Sequence, residues 1–501
     1  MDIKIGELSP DLAEKYAYQA VNEFIGAMKE GNILFDRIEL LSGLAFHKNK
    51  EISDKVLEPM FGVLINELKK SFKKREGDAY LKIFPYFILA AKNQSEIIKN
   101  WFEKMEISES NPLEDLYKKS LELRKPKKQL TQDEIKKIKK LIVLSRSTIG
   151  AEILASGVLL PQLIEQFKTA EIIFIDSCGA GAQVFNHPRI RLVDKFVNEK
   201  GEEISLRWNR KNISILERFE YTATLSEFIS LEIDNLGQEE YIILDADTRL
   251  SQTGAMPISK ENHYFIDTVM EDDDSERVES IAAVCGKHIN RLLNTQNAGY
   301  PRVYLSERDK KIAQEIWDFF GFDKKNMALV SFTSGIESKT LSPSFEKKFI
   351  SKLIELGFTP LIERSPDPQE DKKNVEVVNY LRKNGKEVLE IDLSKPLDIL
   401  DKKIEAEVYT FQSKIGPLAA LIEKSNLVVG YDSKNQHIAA AVSTPFITLF
   451  TGHINNIFLK RWTPISKNFF RIVEVEKKGD YETEALKNTE ACLKEFLSKR
   501  S

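Results

Sequence analysis

The sequence predicts an α/β protein: two doubly wound domains with an all-helical region in front of them. Three observations carry this. Residues 1 to about 125 place apolar side chains at helical spacing and contain no strand-like run. From Leu141 onward, short β-branched runs alternate with helical segments, the pattern of a mostly parallel sheet covered by helices on both faces. The chain has 501 residues, more than one ordinary core accommodates.

Bulk composition narrows the function. Hydrophobic residues at 42% and charged residues at 30% describe a soluble globular protein. Lys and Arg number 73 against 77 Asp and Glu, a net charge of −4, which argues against nucleic acid as a partner. Cys178, Cys285 and Cys492 lie far apart and make neither a metal spacing nor a disulfide framework, so a reducing cytoplasm is expected. Met1-Asp2-Ile3-Lys4 is not a signal peptide, and no apolar run approaches a membrane span.

The helical region, residues 1–125, rests on Leu12, Tyr16, Ala20, Phe24 and Met28, on Val56, Met60, Val63 and Leu64, and on Tyr80, Ile83, Phe84, Phe87 and Ile88. Asn111-Pro112 and Arg124-Lys125-Pro126 break the pattern. His47 reads as a surface or capping residue. A charged linker, 126–140, follows, with Lys127, Lys128, Lys136, Lys137, Lys139 and Lys140. The simpler reading is a solvated helix face. The sharper one is contact with an anionic membrane surface or lipid substrate.

The first α/β domain is expected over 141–310. Leu141–Leu144 is a buried strand, Ser145–Gly150 a loop, Ala151–Phe167 a helix and Ile172–Ile175 a second strand. Arg191–Val193, Ile213–Ile215 and Tyr241–Leu244 are further strand candidates, with helices near 225–233 and 279–293. Residues 294–325 bridge to the second domain, 326–501. Its elements are a strand at 328–332, a helix at 344–356, a strand at 359–362, a helix at 375–384, a strand at 388–391 and a terminal helix at 480–500.

Two stretches stand out chemically. In Asn426–Gly452, the strand Leu427–Val429 leads to Asp432 and Ser433, good helix N-caps, then to a slim helix body, Ile438–Val442, which Pro445 stops before the strand Phe446–Phe450. A helix that starts at the carboxyl end of a parallel strand turns its N–H groups and positive dipole end toward the ligand crevice, where a phosphate sits. In Leu244–Arg249, Asp245 and Asp247 with Arg249 follow the strand Tyr241–Leu244. Carboxylates bind hydroxyls and a guanidinium binds a carboxylate or phosphate in two-pronged fashion, so the group suits a sugar or acceptor site; a structural ion pair closing the strand is the equal alternative. Glu271–Asp274 lacks the spaced ligands of a metal site and reads as a solvated loop.

Asp432, Ser433, His437, Ile438, Ala439, Ala440, Ala441 and Pro445 resemble the C-terminal signature of the ADP-heptose:lipopolysaccharide heptosyltransferases, glycosyltransferase family nine. Lys434 and Ser443 stand where that signature has glycines. The first glycine would let a pyrophosphate approach the backbone; Lys434 substitutes a cation that reaches phosphate directly. Ser331–Gly335 with Lys339 and Pro343 resembles the family's loop and lysine at the donor phosphates, and 415–422 its approach to the signature. The stretch 141–161 resembles the family's opening strand and helix, with Gly150 matched.

The resemblance implies the GT-B fold, two Rossmann-like domains facing a cleft. It also implies transfer of a sugar from a nucleotide-diphosphate-sugar to a glycan or glycolipid acceptor, inverting and metal-independent, with no separate cofactor. It implies a cytoplasmic protein, with peripheral contact at the inner membrane as an extension. Thr333, Ser334, Lys339, Asp432, Ser433, Lys434 and His437 are then donor-phosphate residues. Glu370 is the best match for the acid that holds the donor ribose, and Glu363 the second. Arg146 and Arg249 are acceptor candidates. Where the family has its acid after the glycine, this chain has Ala151, with Glu152 one position further; one residue on a helix rotates a side chain by about 100°. Three readings stay open: Glu152 is a displaced base, Asp245 or Asp247 replaces it, or the base is gone and the protein is a non-catalytic relative acting through its helical region. A sugar-nucleotide epimerase or hydrolase on the same fold is a further class.

Overall fold

The computed structural model describes residues 8–144, 148–179, 181–207, 213–246, 255–269, 278–297, 299–333, 337–393, 405–452 and 455–500. The N-terminal region is helical, running from Pro10–Lys29 through Phe35–Ala45, Lys50–Leu57, Asn66–Lys70, Lys74–Lys92 and Glu96–Glu103 to Pro112–Arg124. Its first helix buries Ala13, Ala17, Ala20, Val21, Phe24 and Met28, while Leu12 is exposed. The apolar stripe therefore begins one residue later than the spacing of Leu12 and Tyr16 suggests. The core of this region includes Phe219 of the helix Ile215–Ile233, whose ring meets Phe46 at 5.2 Å and Phe84 at 5.7 Å. The helical region is thus fused to the first α/β domain through a shared core.

The linker folds as well. Thr131 and Glu134 form a reciprocal capping box at the helix Gln132–Lys137. The basic run is engaged with neighbours: Lys128 with Glu134 at 2.7 Å, Lys136 with Asp133 at 3.0 Å, Lys140 with Glu232 at 2.7 Å, and Lys139 with Glu240. Among the described residues, no helix is long and apolar enough to cross a membrane.

The first sheet contains β1 (Lys140–Leu144), β2 (Glu171–Ile175), β3 (Ile190–Val193), β6 (Tyr241–Asp245) and β7 (His263–Phe265); β4 (Lys195–Val197) and β5 (Glu203–Ser205) form a separate hairpin. The sheet order is β3-β2-β1-β6-β7, all parallel, and it reverses between β1 and β6. In an open α/β sheet that reversal is where a ligand crevice forms. The strand expected at Ile213–Ile215 is absent: Ser214 caps a helix that begins at Ile215, with Glu217 completing a capping box. Two β-branched residues flanking a serine are a weak strand signal, and Ser-x-x-Glu overrides it.

The second sheet is larger: β8 (Met327–Ser331), β9 (Thr359–Glu363), β10 (Val388–Asp392), β11 (Val408–Gln412), β12 (Leu427–Tyr431), β13 (Phe446–Thr451) and β14 (Phe470–Val475). Its order is β10-β11-β9-β8-β12-β13-β14, parallel throughout, reversing between β8 and β12. The two doubly wound sheets and the preceding helical region match the predicted GT-B class. The bridge 294–325 contains the helix Glu307–Phe320, which packs on the second core. The terminal helix Tyr481–Ser498 stays on the second sheet, against β14 and the helix Pro343–Glu355.

The signature helix, Lys434–Ala441, ends in Val442 and then Ser443, which sits at φ 60°. That is the left-handed region that glycine occupies without strain, so the family's glycine has a backbone reason here and Ser443 departs from it. Ser443→Gly should raise stability by roughly 1 kcal/mol in urea unfolding; unchanged or lower stability would contradict this account.

Candidate active site

β8 and β12 are neighbours, so the loop after one and the helix after the other start side by side. Gly430 permits their contact, because a Cβ there would lie 2.3 Å from the Ser331 carbonyl oxygen. The helix Lys434–Ala441 begins at the N-cap Ser433, whose side chain accepts from Asn435 N. Every residue from Asn435 to Ala441 is buried.

Around this helix start the structure gathers several of the predicted donor residues. Lys339 forms an ion pair with Asp432, which is 7% exposed. Gln436 Nε2 donates to Asp432 Oδ1 at 2.6 Å. Lys434 Nζ lies 3.0 Å from Glu363 Oε1. Ser331 Oγ donates to Glu363 Oε2 at 2.6 Å, Asn435 Nδ2 donates to the same oxygen, and Ser331 meets Thr333 Oγ1 at 3.1 Å. Burial pushes the Glu363 carboxyl up, but the Lys434 charge and the hydrogen bonds from Ser331, Asn435 and Lys434 outweigh it and hold it below the usual carboxylate range. Of the two candidate ribose acids, Glu363 therefore joins this cluster at the end of β9. Glu370 lies on the helix Pro368–Lys383 and accepts from Ser365 Oγ at 2.9 Å. Gln436 and Asn435 were not singled out from the sequence, which shows their helical position but not their burial.

His437 is neutral. Burial, reinforced by the Lys339 charge, pushes its imidazole down to about 3. Gln436 Nε2 approaches His437 Nε2 at 3.4 Å. His437 Nδ1, Gln436 Oε1 and Asn435 Oδ1 find no hydrogen-bond partner among the described residues. Consecutive unsatisfied polar atoms at a buried helix start are what a polar ligand would satisfy.

The other half of the site meets this one at a glycine. Gly150 lies in the first turn of the helix Ile149–Gln166, and a Cβ there would come 2.7 Å from His437 Cδ2. Two positions singled out separately in the sequence thus touch across the two α/β domains. The candidate bases are placed less favourably. Glu152 is fully buried and accepts from Ser156 Oγ at 2.9 Å. Asp245, also fully buried at the end of β6, pairs with His263 Nε2 at 3.0 Å. His263 comes from β7, which the sequence pattern does not show. Arg146, Asp247, Arg249 and Ser334 lie outside the described residues. A surface recess lined by Tyr300, Arg302, Glu423, Ser443 and Lys467 lies at the opposite end of the signature helix.

The loop bearing Lys339 is tied down from behind. Leu341 N donates to Tyr431 Oη at 3.1 Å, and Tyr431 Oη donates to Glu346 Oε1 at 2.9 Å. Thr451 Oγ1 donates to the Ser338 carbonyl at 3.0 Å. Burial pushes the Glu346 carboxyl up to about 8, so it is protonated at neutral pH.

Residues 412–489 match the family model described as "Glycosyltransferase family 9 (heptosyltransferase)". A segment of 64 residues is 48% identical to lipopolysaccharide heptosyltransferase 3 of Escherichia coli, covering 13% of this chain and 16% of that relative's length. Among solved structures, the glycosyl transferase family 9 protein of Veillonella parvula is 16% identical, with a TM-score of 0.49, over 74% of this chain and 100% of that one. The Escherichia coli ADP-heptose lipopolysaccharide heptosyltransferase II is 15% identical, with a TM-score of 0.44, over 72% of this chain and 100% of that one.

Glu346 provides a test of the scaffold behind Lys339. Its folded value of about 8 exceeds its ordinary 4.5, so its contribution is complete below pH 4.5 and is lost as pH rises through 8. Glu346→Gln removes that titration, so its stability relative to the parent should rise steadily between these pH values in urea unfolding. A flat difference across the range would contradict the buried, protonated state.

Proposed function

We propose that this chain, whose residues 412–489 match the glycosyltransferase family 9 model, belongs to that family and transfers a sugar from a nucleotide-diphosphate-sugar to a hydroxyl of a glycan or lipopolysaccharide-type acceptor. ADP-heptose is the first donor to try, and the transfer inverts the anomeric centre without a metal ion. The observation that carries the reading is the pairing of Lys339 and Lys434 with buried carboxylates at the start of the signature helix.

Transfer breaks the bond between the anomeric carbon and a diphosphate oxygen, and charge builds on that oxygen. In this reading the Lys339 and Lys434 ammonium groups and the positive end of the signature helix stabilise it. Glu363, whose two oxygens hold Lys434, Ser331 and Asn435, is assigned to the ribose end of the donor in this reading. In this reading residues 326–501 hold the donor, residues 141–310 hold the acceptor, and the contact of Gly150 with His437 is the seam between them. The acceptor hydroxyl loses its proton to a carboxylate, with Glu152, Asp245 and Asp247 as the candidates. The work is placed in the cytoplasm, at or beside the inner membrane where a glycolipid acceptor would lie.

A second reading is favoured by one specific observation. Glu152 and Asp245 are both buried and engaged with side chains of the chain itself, and Ala151 replaces the family's acid. A protein with this arrangement binds a nucleotide-sugar or glycan without transferring it, and acts through its helical region. Product analysis under multiple-turnover conditions, with ADP-heptose and a heptose-deficient glycolipid, separates the two. The first reading predicts repeated release of ADP with transferred sugar, and a loss of about 10²-fold in kcat/KM for Lys339→Ala. Absence of turnover with every nucleotide-sugar, in a folded protein that still binds nucleotide, would establish the second reading.

A further inference from the structure

An aromatic chain runs from the helical region to the donor cluster. Phe72, between the helices Asn66–Lys70 and Lys74–Lys92, is 7% exposed. Its ring centroid lies 6.4 Å from that of Phe458, on the helix Asn456–Trp462 of the second α/β domain. Phe458 in turn lies 6.1 Å from Trp462, and Trp462 lies 6.3 Å from His437. The Lys339 ammonium sits 5.7 Å from the centre of the Phe458 ring. Arg461, on the same helix as Phe458, has its guanidinium 5.9 Å from the centre of the Phe72 ring and donates to the Glu279 carbonyl at 2.9 Å.

Phe72 also holds an unusual backbone. Its φ is 56°, in the left-handed region that a bulky residue rarely enters. Such a conformation persists where the surroundings fix it, and here it delivers an aromatic ring into a three-way junction. A simple filler between helices has no need of it.

We infer that the helical region is part of the donor site: Phe72 holds the Phe458 ring in place, and that ring holds the Lys339 ammonium over its face, so both aromatics are positioning residues for the cation that meets the diphosphate. The inference rests on the donor-site reading above and extends it to a region with no counterpart in the signature. A ring face attracts an ammonium, and the attraction strengthens as water is excluded. Lys339 therefore has two restraints, Asp432 for its charge and Phe458 for its direction.

The test uses the full chain with Phe72→Leu and Phe458→Leu, each keeping apolar volume while removing a ring. The rate at which an amine-acylating reagent modifies Lys339 is read by peptide mass spectrometry, with Lys55 of the helical region as the internal reference, and ADP affinity is measured alongside. Lys339 acylation is expected to rise by about two- to fivefold in both variants with Lys55 unchanged, and ADP affinity to fall by a similar factor. Unchanged Lys339 reactivity in the folded variants would overturn the inference. Should Phe72→Leu not fold, Phe72→Met is read by the same criterion. If the parent protein binds none of ADP, UDP, GDP and CDP, the donor-site reading fails, and the Lys339 reactivities still decide whether the aromatic chain positions that lysine.

Discussion

The ion pair between Lys339 and Asp432 is the constraint on which the rest of the site depends. Asp432 is nearly buried, and a carboxylate taken out of water needs a charged or hydrogen-bonding partner at once. Lys339 supplies the charge and Gln436 the hydrogen bond. Because Lys339 belongs to the loop after β8 and Asp432 follows β12, the pair pins two crossover connections to one another at the reversal point of the sheet. Lys434 and Glu363 repeat the device one strand further along, between β12 and β9. Two cations and two anions leave the cluster close to neutral, with His437 uncharged beside it. In the proposed reading, an entering diphosphate would meet lysines whose own partners stay close, and a helix start whose N–H groups add attraction without adding a formal charge.

That arrangement explains which parts of the molecule were legible in the sequence. Asp432 and Ser433 are fixed by helix capping and His437 by the family resemblance, and a short apolar run before a capped helix locates a strand end well. Strand β11 and strand β14 escaped because Thr410 and Gln412, or Arg471 and Glu474, interrupt their apolar pattern, while sheet pairing rather than pattern sets their conformation. The triplet at Ile213–Ile215 misled for the opposite reason: its β-branched side chains belong to a capping sequence. The choice between Glu363 and Glu370 as partner in the cluster needed three dimensions, since Glu363 is the last residue of a strand and Glu370 lies in the first turn of the helix that follows. Asp245 looked like a crevice carboxylate from its place at a strand end; the His263 that engages it comes from a strand three residues long.

The glycines divide in the same way. Gly150 reads as one family match among several, yet its absence of a side chain is what lets the helix Ile149–Gln166 reach His437. Ser443 reads as a lost glycine, and its positive φ shows that the backbone kept the glycine's conformation. The helical region, which in sequence offered only periodicity, shares a core with the helix Ile215–Ile233 and reaches the helix Asn456–Trp462 through Phe72. It is built into the body of the two α/β domains.

The central claim is that the start of the signature helix is a nucleoside-diphosphate site. Calorimetric titration of the full chain with ADP, UDP, GDP and CDP, each with and without magnesium, tests it most directly. The account predicts saturable binding of one nucleotide, insensitive to magnesium, because lysines and helix N–H groups provide the anion contacts. Failure of all four to bind a folded protein would contradict it, and would mean that the Lys339–Asp432 and Lys434–Glu363 pairs close the site rather than prepare it.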